Sequence, residues 1–115
     1  MFGLGKKGKN DIDVIEAYDL IIENKSDPKL VILDVRTPDE YNSEKIEDSI
    51  NINFNSGNFK MDVNELEKTK KYLVYCRSGR RSANALKEMK KLGFEDVLNI
   101  SGGIMKWNSK GLPMK

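Results

Sequence analysis

Residues 72–81, YLVYCRSGRR, decide the fold of this chain and contain its only cysteine, Cys76. The first four residues form an apolar run typical of a strand buried in a sheet. Over residues 81–92 the apolar side chains recur at helical spacing, and Gly93 marks the predicted end of that helix. The sequence therefore predicts that Cys76 lies at the carboxyl end of a strand, in a loop that leads into a helix. Open α/β sheets bind their ligands at this edge.

The predicted position of Cys76 favours a reactive sulfur. Backbone N–H groups converge between a strand end and a helix start, and the helix dipole is positive there. Both effects favour the thiolate, which is the form of cysteine that attacks electrophiles. The charges of Arg77, Arg80 and Arg81 act in the same direction. A lone cysteine is most often a buried core residue, but a core residue does not need such a loop, so we favour the thiolate.

The length and composition indicate one small globular domain. The chain has 115 residues and a formal net charge of +2, which is too small a charge to predict binding to nucleic acid or to a membrane surface. No apolar run approaches the length of a membrane span. Residues 1–10 contain charge and glycine but no apolar signal core. We expect a flexible N-terminal tail at 1–10, a folded domain at 11–115 and a cytoplasmic location.

Two absences restrict the chemistry. The chain contains no histidine, which excludes nucleophile systems that need an imidazole base and leaves no cysteine–histidine set for zinc. With one cysteine it has neither an internal disulfide nor a Cys-x-x-Cys redox pair. We therefore predict no metal and no cofactor. If Cys76 is a nucleophile, its loop must activate it, and any sulfur that it takes up must pass to another molecule.

Strand and helix signals alternate along the rest of the chain. Apolar runs predict strands at residues 30–35, 50–52, 72–75 and 97–100. Capping boxes that begin at Asp13 and Thr37 predict two helix starts. A weaker helix is predicted at 61–67, and a last helix carries Trp107, which we expect to pack in the core. The alternation predicts an α/β fold with a parallel sheet of four or five strands and helices on both faces.

Three stretches resemble the signatures of the rhodanese family of sulfurtransferases. They are VILDVRTPDEY at 31–41, VYCRSGRRS at 74–82 and SGGIMKW at 101–107. The resemblance covers residues 12–114 and implies a three-layer α/β domain. It also implies a cysteine that takes a sulfane sulfur from a donor such as thiosulfate, holds it as a persulfide and passes it to cyanide or a thiol. A protein that accepts the sulfur is a further partner that the resemblance leaves open.

By match of position, Cys76 is the catalytic residue that carries the persulfide. The backbone that would surround the outer sulfur and bind the substrate belongs to Arg77, Ser78, Gly79, Arg80 and Arg81. A persulfide anion is compact, so a nest of N–H groups at a helix start suits it. The arginines would attract a dianion such as thiosulfate. The resemblance gives Asp34 and Arg36 a supporting role, but on the residues alone we favour an ion pair that fixes the strand end and the next helix.

The chain departs from the family in the segment that follows Tyr41. Positions that commonly hold Gly-His-Ile and Gly-Ala hold Glu44-Lys45-Ile46 and Asp48-Ser49 here. The family's histidine is not the nucleophile, so the chemistry survives its loss. The departures concern the local packing, the backbone of a turn and any partner surface on that loop.

Two other functions stay open. One is a module that carries a persulfide or senses an anion for a partner protein, with little turnover of its own. The other is a cysteine phosphatase or arsenate reductase on the same fold. Cysteine phosphatases need an arginine six positions after the cysteine to clamp the phosphate oxygens. Here that position is Ser82, which disfavours the phosphatase.

Overall fold

The computed structural model describes residues 8–115. Residues 1–7 lie outside that description, and with them most of the predicted N-terminal tail. The strands are β1 (Asp11–Ile12), β2 (Leu30–Asp34), β3 (Ile50–Asn51), β4 (Lys71–Tyr75) and β5 (Asp96–Ile100). They form one sheet in the order β1-β5-β4-β2-β3, with every neighbouring pair parallel. The predicted α/β class with four or five parallel strands is confirmed.

Helices connect the strands across both faces of the sheet. They are α1 (Val14–Glu23), α2 (Pro38–Ser43), a 3₁₀ turn (Phe54–Ser56), α3 (Phe59–Val63), α4 (Arg80–Lys91) and α5 (Gly103–Ser109). The predicted capping boxes are present, with Asp13 before α1 and Thr37 before α2. Within residues 8–115, no helix has both the length and the apolar character needed to cross a bilayer.

Two apolar cores lie on opposite faces of the sheet, which makes three layers. One core joins the sheet to α3 and α4 and includes Leu33, Val35, Phe59, Val63, Tyr72, Val74, Cys76, Ala85 and Met89. The other joins it to α1 and α5 and includes Val14, Ala17, Ile32, Leu73, Tyr75, Ile100, Ile104 and Trp107. The predicted core position of Trp107 is therefore confirmed. Because side chains along β4 alternate between faces, Cys76 falls on the face of α4.

Two elements differ from the sequence predictions. The weak helix predicted at 61–67 is α3, which begins earlier and ends at Val63, because Phe59 and Val63 are its buried pair one turn apart. β1 has no counterpart among the predicted strands, since two residues are too few to show a strand pattern. It pairs with the end of β5, where Asp11 lies beside Asn99. This pairing brings Asp11 to the carboxyl edge of the sheet.

Candidate active site

Cys76 lies directly after β4, in a loop that ends at the first residue of α4. Gly79 occupies the position before this helix with a φ of 105°, a left-handed conformation that glycine adopts without steric cost. The backbone N–H of Gly79 donates to Cys76 Sγ at an N···S distance of 3.1 Å. The thiol is therefore at the position that the sequence pattern indicates, at a strand end and a helix start.

Hydrogen-bond donors surround the sulfur although Cys76 is only 1% exposed. Besides Gly79, the N–H and the Oγ of Ser82 lie 3.4 Å from Sγ. Burial raises the pKa of the Cys76 thiol. Hydrogen bonds from Ser82, Gly79 and Ser78 lower it by more, so the net pKa is below the ordinary value. Cys76 is therefore buried in the core and yet has a lowered thiol pKa.

The start of α5 fixes this loop from behind. The N–H of Ile104 donates to the carbonyl oxygen of Cys76 at 2.9 Å, and the N–H of Met105 donates to that of Arg77 at 3.0 Å. In a planar trans peptide the N–H points opposite to the C=O. The bond from Met105 therefore turns the N–H of Ser78 away from α5, and that N–H is one of the groups that lower the pKa of Cys76.

Gly103 makes this close approach of α5 sterically feasible. Its φ is 58°, and a Cβ at this position would lie 2.5 Å from the carbonyl oxygens of both Cys76 and Arg77. No side chain fits at that distance. Gly103 therefore has a specific structural role, which is to let the start of α5 contact the backbone of the cysteine loop.

The three arginines of the loop differ in their surroundings. Arg81 donates from its two terminal nitrogens to the carboxylate oxygens of Glu40 at 2.8 and 3.0 Å. This hydrogen bonding raises the pKa of Arg81 against the opposing effect of burial, and the nearby Cys76 sulfur adds to the rise. Arg77 and Arg80 are exposed and form no ion pair within residues 8–115. Their charges are the ones free to meet an anion.

Asp34 and Arg36 form a buried ion pair beside the loop. Arg36 Nη2 lies 2.7 Å from Asp34 Oδ2 and also donates to the carbonyl oxygen of Glu44 at 2.5 Å. The structure therefore shows the ion pair that we favoured, which ties the end of β2 to the segment after α2. The supporting role stays a prediction. A cleft of about 380 Å³ opens here, lined by Arg36, Glu40, Ser43, Glu44, Arg77, Ile104, Met105 and Asn108.

Known proteins with this sequence pattern identify the family. A family model described as "Rhodanese-like domain" matches residues 16–110. The chain belongs to this family. One relative is "Putative thiosulfate sulfurtransferase, mitochondrial" of Schizosaccharomyces pombe, which is 32% identical over an alignment of 90% of this chain and 81% of that protein.

Two further comparisons support the assignment to the rhodanese family. "Putative sulfur carrier protein YrkF" of Bacillus subtilis is 39% identical over 74% of this chain, and the match spans 45% of YrkF. The crystal structure of a rhodanese-related protein of Thermoplasma volcanium has a TM-score of 0.77 and 32% sequence identity, and it covers 92% of this chain and 97% of that one. The rhodanese-like fold and the membership in a sulfurtransferase family are thereby shown.

Two tyrosines hold the segment that differs from the family pattern, residues 44–49. Tyr41 donates from its hydroxyl to the carbonyl of Ser49, while the Tyr75 hydroxyl accepts from the N–H of Ile46 at 3.1 Å. Tyr75 also lies 3.3 Å from Ser49 Oγ. Asp48 stands where the family commonly has glycine, and its φ of 69° is left-handed. A residue with a Cβ adopts that conformation at a steric cost, so the altered turn keeps its backbone under strain.

A chain of three hydrogen-bonded polar residues that begins beside the sulfur is absent from the sequence-based site. Ser82 Oγ lies 2.5 Å from Asn99 Oδ1, and Asn99 Nδ2 lies 3.1 Å from Asp11 Oδ1. Asn99 had a usable signal, because a polar residue inside a buried apolar strand needs a partner. Ser82 belongs to the 74–82 stretch and is the sixth position after Cys76, but the sequence pattern assigns it no role at the sulfur. Asp11 had no signal, because β1 is too short to recognise.

Proposed function

We propose that this rhodanese-like domain is a sulfurtransferase that moves a sulfane sulfur through a persulfide on Cys76. The observation that carries the proposal is the set of donors from Ser78, Gly79 and Ser82 around a thiol whose pKa is lowered. The same N–H groups suit a compact anion. Thiosulfate is our proposed donor, since Arg77 and Arg80 offer positive charge at the loop and the S. pombe relative is named for it.

The proposed reaction has two displacements. The Cys76 thiolate attacks the outer sulfur of thiosulfate, so a new S–S bond forms while the bond to the sulfite group breaks and its electron pair leaves with sulfite. Cyanide or a thiolate then attacks the outer sulfur of the persulfide, and the electron pair of the broken S–S bond returns to Cys76 Sγ. We propose a cytoplasmic location as well, because reducing compartments supply thiols and keep single cysteines free.

A sulfur carrier is the second candidate. The name of YrkF describes a carrier, and the burial of Cys76 favours a persulfide that is protected between encounters. A carrier would hold the persulfide and release it only to a partner protein. A phosphatase is disfavoured, because Ser82 stands at the sixth position after Cys76 and the guanidinium of Arg81 is held by Glu40.

The test begins with the persulfide. Incubation with thiosulfate should add the mass of one sulfur atom, which dithiothreitol should remove, and a thiosulfate:cyanide assay should show turnover. Cys76→Ser should abolish both. The matched control is the double variant Cys76→Ser with Ser26→Cys, which keeps one thiol but moves it to an exposed turn and should also be inactive.

The outcomes separate the candidates. Turnover identifies the enzyme, and a stable adduct without turnover identifies the carrier. Full activity of Cys76→Ser would contradict both.

A further inference from the structure

Ser82 stands between two hydrogen-bond acceptors with a single hydroxyl proton to give. Its Oγ lies 2.5 Å from Asn99 Oδ1 and 3.4 Å from Cys76 Sγ. A hydroxyl donates one hydrogen bond at a time. Ser82 Oγ lies within donating distance of both groups, but the contact with Asn99 is much the shorter, which favours donation to Asn99 while the sulfur is uncharged. A lone pair of the oxygen then faces Sγ.

The orientation of the Asn99 amide follows from its other neighbours. Asn99 Nδ2 lies 3.1 Å from Asp11 Oδ1 and 3.5 Å from the carbonyl oxygen of Gly79. A carboxylate oxygen and a carbonyl oxygen accept hydrogen bonds and cannot donate them. The amide nitrogen must therefore face these two groups, and the amide oxygen faces Ser82. Asn99 is 4% exposed, which leaves little access for water to replace these partners.

This arrangement of Ser82 and Asn99 favours the uncharged sulfur of Cys76 over the thiolate. A lone pair of Ser82 Oγ facing Sγ suits an uncharged sulfur and opposes a thiolate. We propose that Asn99, oriented by Asp11, is a positioning residue that accepts the Ser82 hydroxyl proton and so keeps it from Sγ while the sulfur is uncharged. The proton turns to Sγ when Cys76 becomes a thiolate and returns to Asn99 when the sulfur is uncharged.

The proposed sulfur cycle would use this proton twice, and in that respect the inference rests on the proposed function. Cys76 Sγ is a thiolate before it attacks the donor. In the persulfide Sγ is uncharged, because the charge lies on the outer sulfur. When an acceptor takes the outer sulfur, the electron pair returns to Sγ and the Ser82 proton turns to it again, which stabilises the leaving thiolate.

Other charged groups around Cys76 must be separated from this effect. Arg81 on α4 attracts the thiolate, and Asp34 at the end of β2 acts on Arg81. Arg77 and Arg80 lie exposed in the loop. None of these groups hydrogen-bonds to Ser82, so substitutions of Asn99 leave all of them in place.

The test is the titration of the Cys76 thiol, followed by the ultraviolet absorbance of the thiolate with Cys76→Ser as the blank. Asn99→Leu keeps the volume but removes the acceptor, so Ser82 is free to donate to Sγ at all times. We expect the midpoint to fall by roughly 0.5 to 1 pH unit, which corresponds to the net free energy of one ordinary hydrogen bond, the bond to Asn99 that the Ser82 hydroxyl no longer has to give up.

The matched background is Ser82→Ala. There the same Asn99→Leu substitution should shift the midpoint by less than about 0.2 pH unit, because the hydroxyl through which it acts is gone. The proposal would be overturned if Asn99→Leu shifted the midpoint equally in the parent chain and in Ser82→Ala, or if it did not lower the midpoint in the parent chain. Asn99 would then act only on the shape of the loop.

A second pair of variants decides the matter if Asn99→Leu does not fold. Asp11→Asn keeps an acceptor for the Asn99 amide, whereas Asp11→Ala removes the nearer of its two acceptors and leaves only the carbonyl oxygen of Gly79 at 3.5 Å, so the amide reverses more easily. Both remove the same charge, so a lower midpoint in Asp11→Ala than in Asp11→Asn supports the proposal and equal midpoints contradict it. Asp96→Ala, at the opposite end of β5, should leave the midpoint unchanged.

The titration needs no sulfur transfer, so the two proposals can fail separately. If the midpoints shift as expected but no persulfide forms, the role proposed for Asn99 is supported and the proposed sulfurtransferase function is rejected. A persulfide without the expected shifts would do the reverse.

Discussion

The backbone N–H of Ile104 donates a 2.9 Å hydrogen bond to the carbonyl oxygen of Cys76. This bond joins the C-terminal helix directly to the peptide unit of the candidate nucleophile. The geometry of the cysteine loop therefore depends on α5 as well as on its own residues. A change at the start of α5 should alter sulfur chemistry without touching any side chain near the sulfur.

Gly103→Ala tests this dependence. The new Cβ would lie 2.5 Å from the carbonyl oxygens of Cys76 and Arg77, so α5 must move and the loop N–H groups lose their alignment. We expect the free energy of unfolding to fall by at least about 2 kcal/mol, from the contact and the left-handed φ together. Sulfur transfer should fall at least about tenfold, since aligned N–H donors supply several kcal/mol to such chemistry.

The matched control is Gly111→Ala. Gly111 has a similar φ of 69°, but a Cβ there meets nothing within 4 Å. The Gly111→Ala variant should lose about 1 kcal/mol of the free energy of unfolding from backbone strain alone and keep full activity. Equal effects of the two substitutions, measured by denaturant unfolding and by turnover, would show that the contact with the loop is unimportant.

Arg77→Ala should weaken binding of an anionic donor more than Arg80→Ala does. Both arginines are exposed in the same loop, but only Arg77 lines the cleft. We expect the KM for thiosulfate to rise about tenfold in Arg77→Ala, from the loss of one charge-assisted hydrogen bond, with kcat changed much less. Because Arg80→Ala removes the same charge, an equal rise in its KM would mean that only the overall charge matters.

Glu40→Gln should reveal the contribution of the ion pair with Arg81 to stability. The hydrogen bond from Arg81 lowers the pKa of Glu40 from 4.5 to about 2, against the opposing effect of burial. The carboxylate therefore stabilises the fold above pH 4.5, and this contribution is lost as the pH falls towards 2. At neutral pH we expect a loss of about 0.5 to 1 kcal/mol in the variant.

Denaturant unfolding across pH measures this effect. The difference between Glu40→Gln and the parent chain should shrink through the same acid range, because the parent's Glu40 is protonated there. Glu67→Gln is the control, since Glu67 is 71% exposed and lies 3.7 Å from its partner Lys70. A difference for Glu40→Gln that does not change with pH would exclude the ion pair as its cause.

Glycine, which the family commonly has in place of Asp48, should make the fold more stable. Asp48→Gly removes the steric cost of a φ of 69° and should stabilise the fold by about 0.5 kcal/mol. Asp48→Val, with a branched Cβ, should lose about 1 to 2 kcal/mol. Glu47→Gly is the control at an ordinary φ and should destabilise by a few tenths to about 1 kcal/mol. Thermal unfolding in one buffer distinguishes the three, and destabilisation by Asp48→Gly would contradict the strain.

Local patterns explain why much of the fold could be predicted. The capping boxes at Asp13 and Thr37 and the apolar runs that became β2, β4 and β5 depend on neighbours in sequence. The helix predicted at 61–67 begins and ends later than α3, because Leu66 continues the apolar spacing although the chain has already turned after Val63. β1 has only two residues and owes its conformation to β5, so nothing local reveals it.

The candidate site likewise has a part that local sequence patterns predict and a part that they do not. Cys76 and its loop stand out because one short segment contains the strand end, the thiol and the helix start. The bond between Arg81 and Glu40 joins residues 41 positions apart, and Asn99 and Asp11 are 88 positions apart. Such pairs form only when the sheet is assembled, so the partners of the loop follow from the topology and not from any local pattern.

The short outer strands have a consequence for the behaviour of the protein at high concentration. β1 and β3 flank the sheet, and each contains only two residues. Such brief edges offer another chain too few backbone groups for ordered growth of the sheet. The charged carboxyl of Asp11 on β1 further discourages stacking. The five-stranded sheet therefore has edges that disfavour amyloid-like association between chains, while Cys76 stays buried inside the fold.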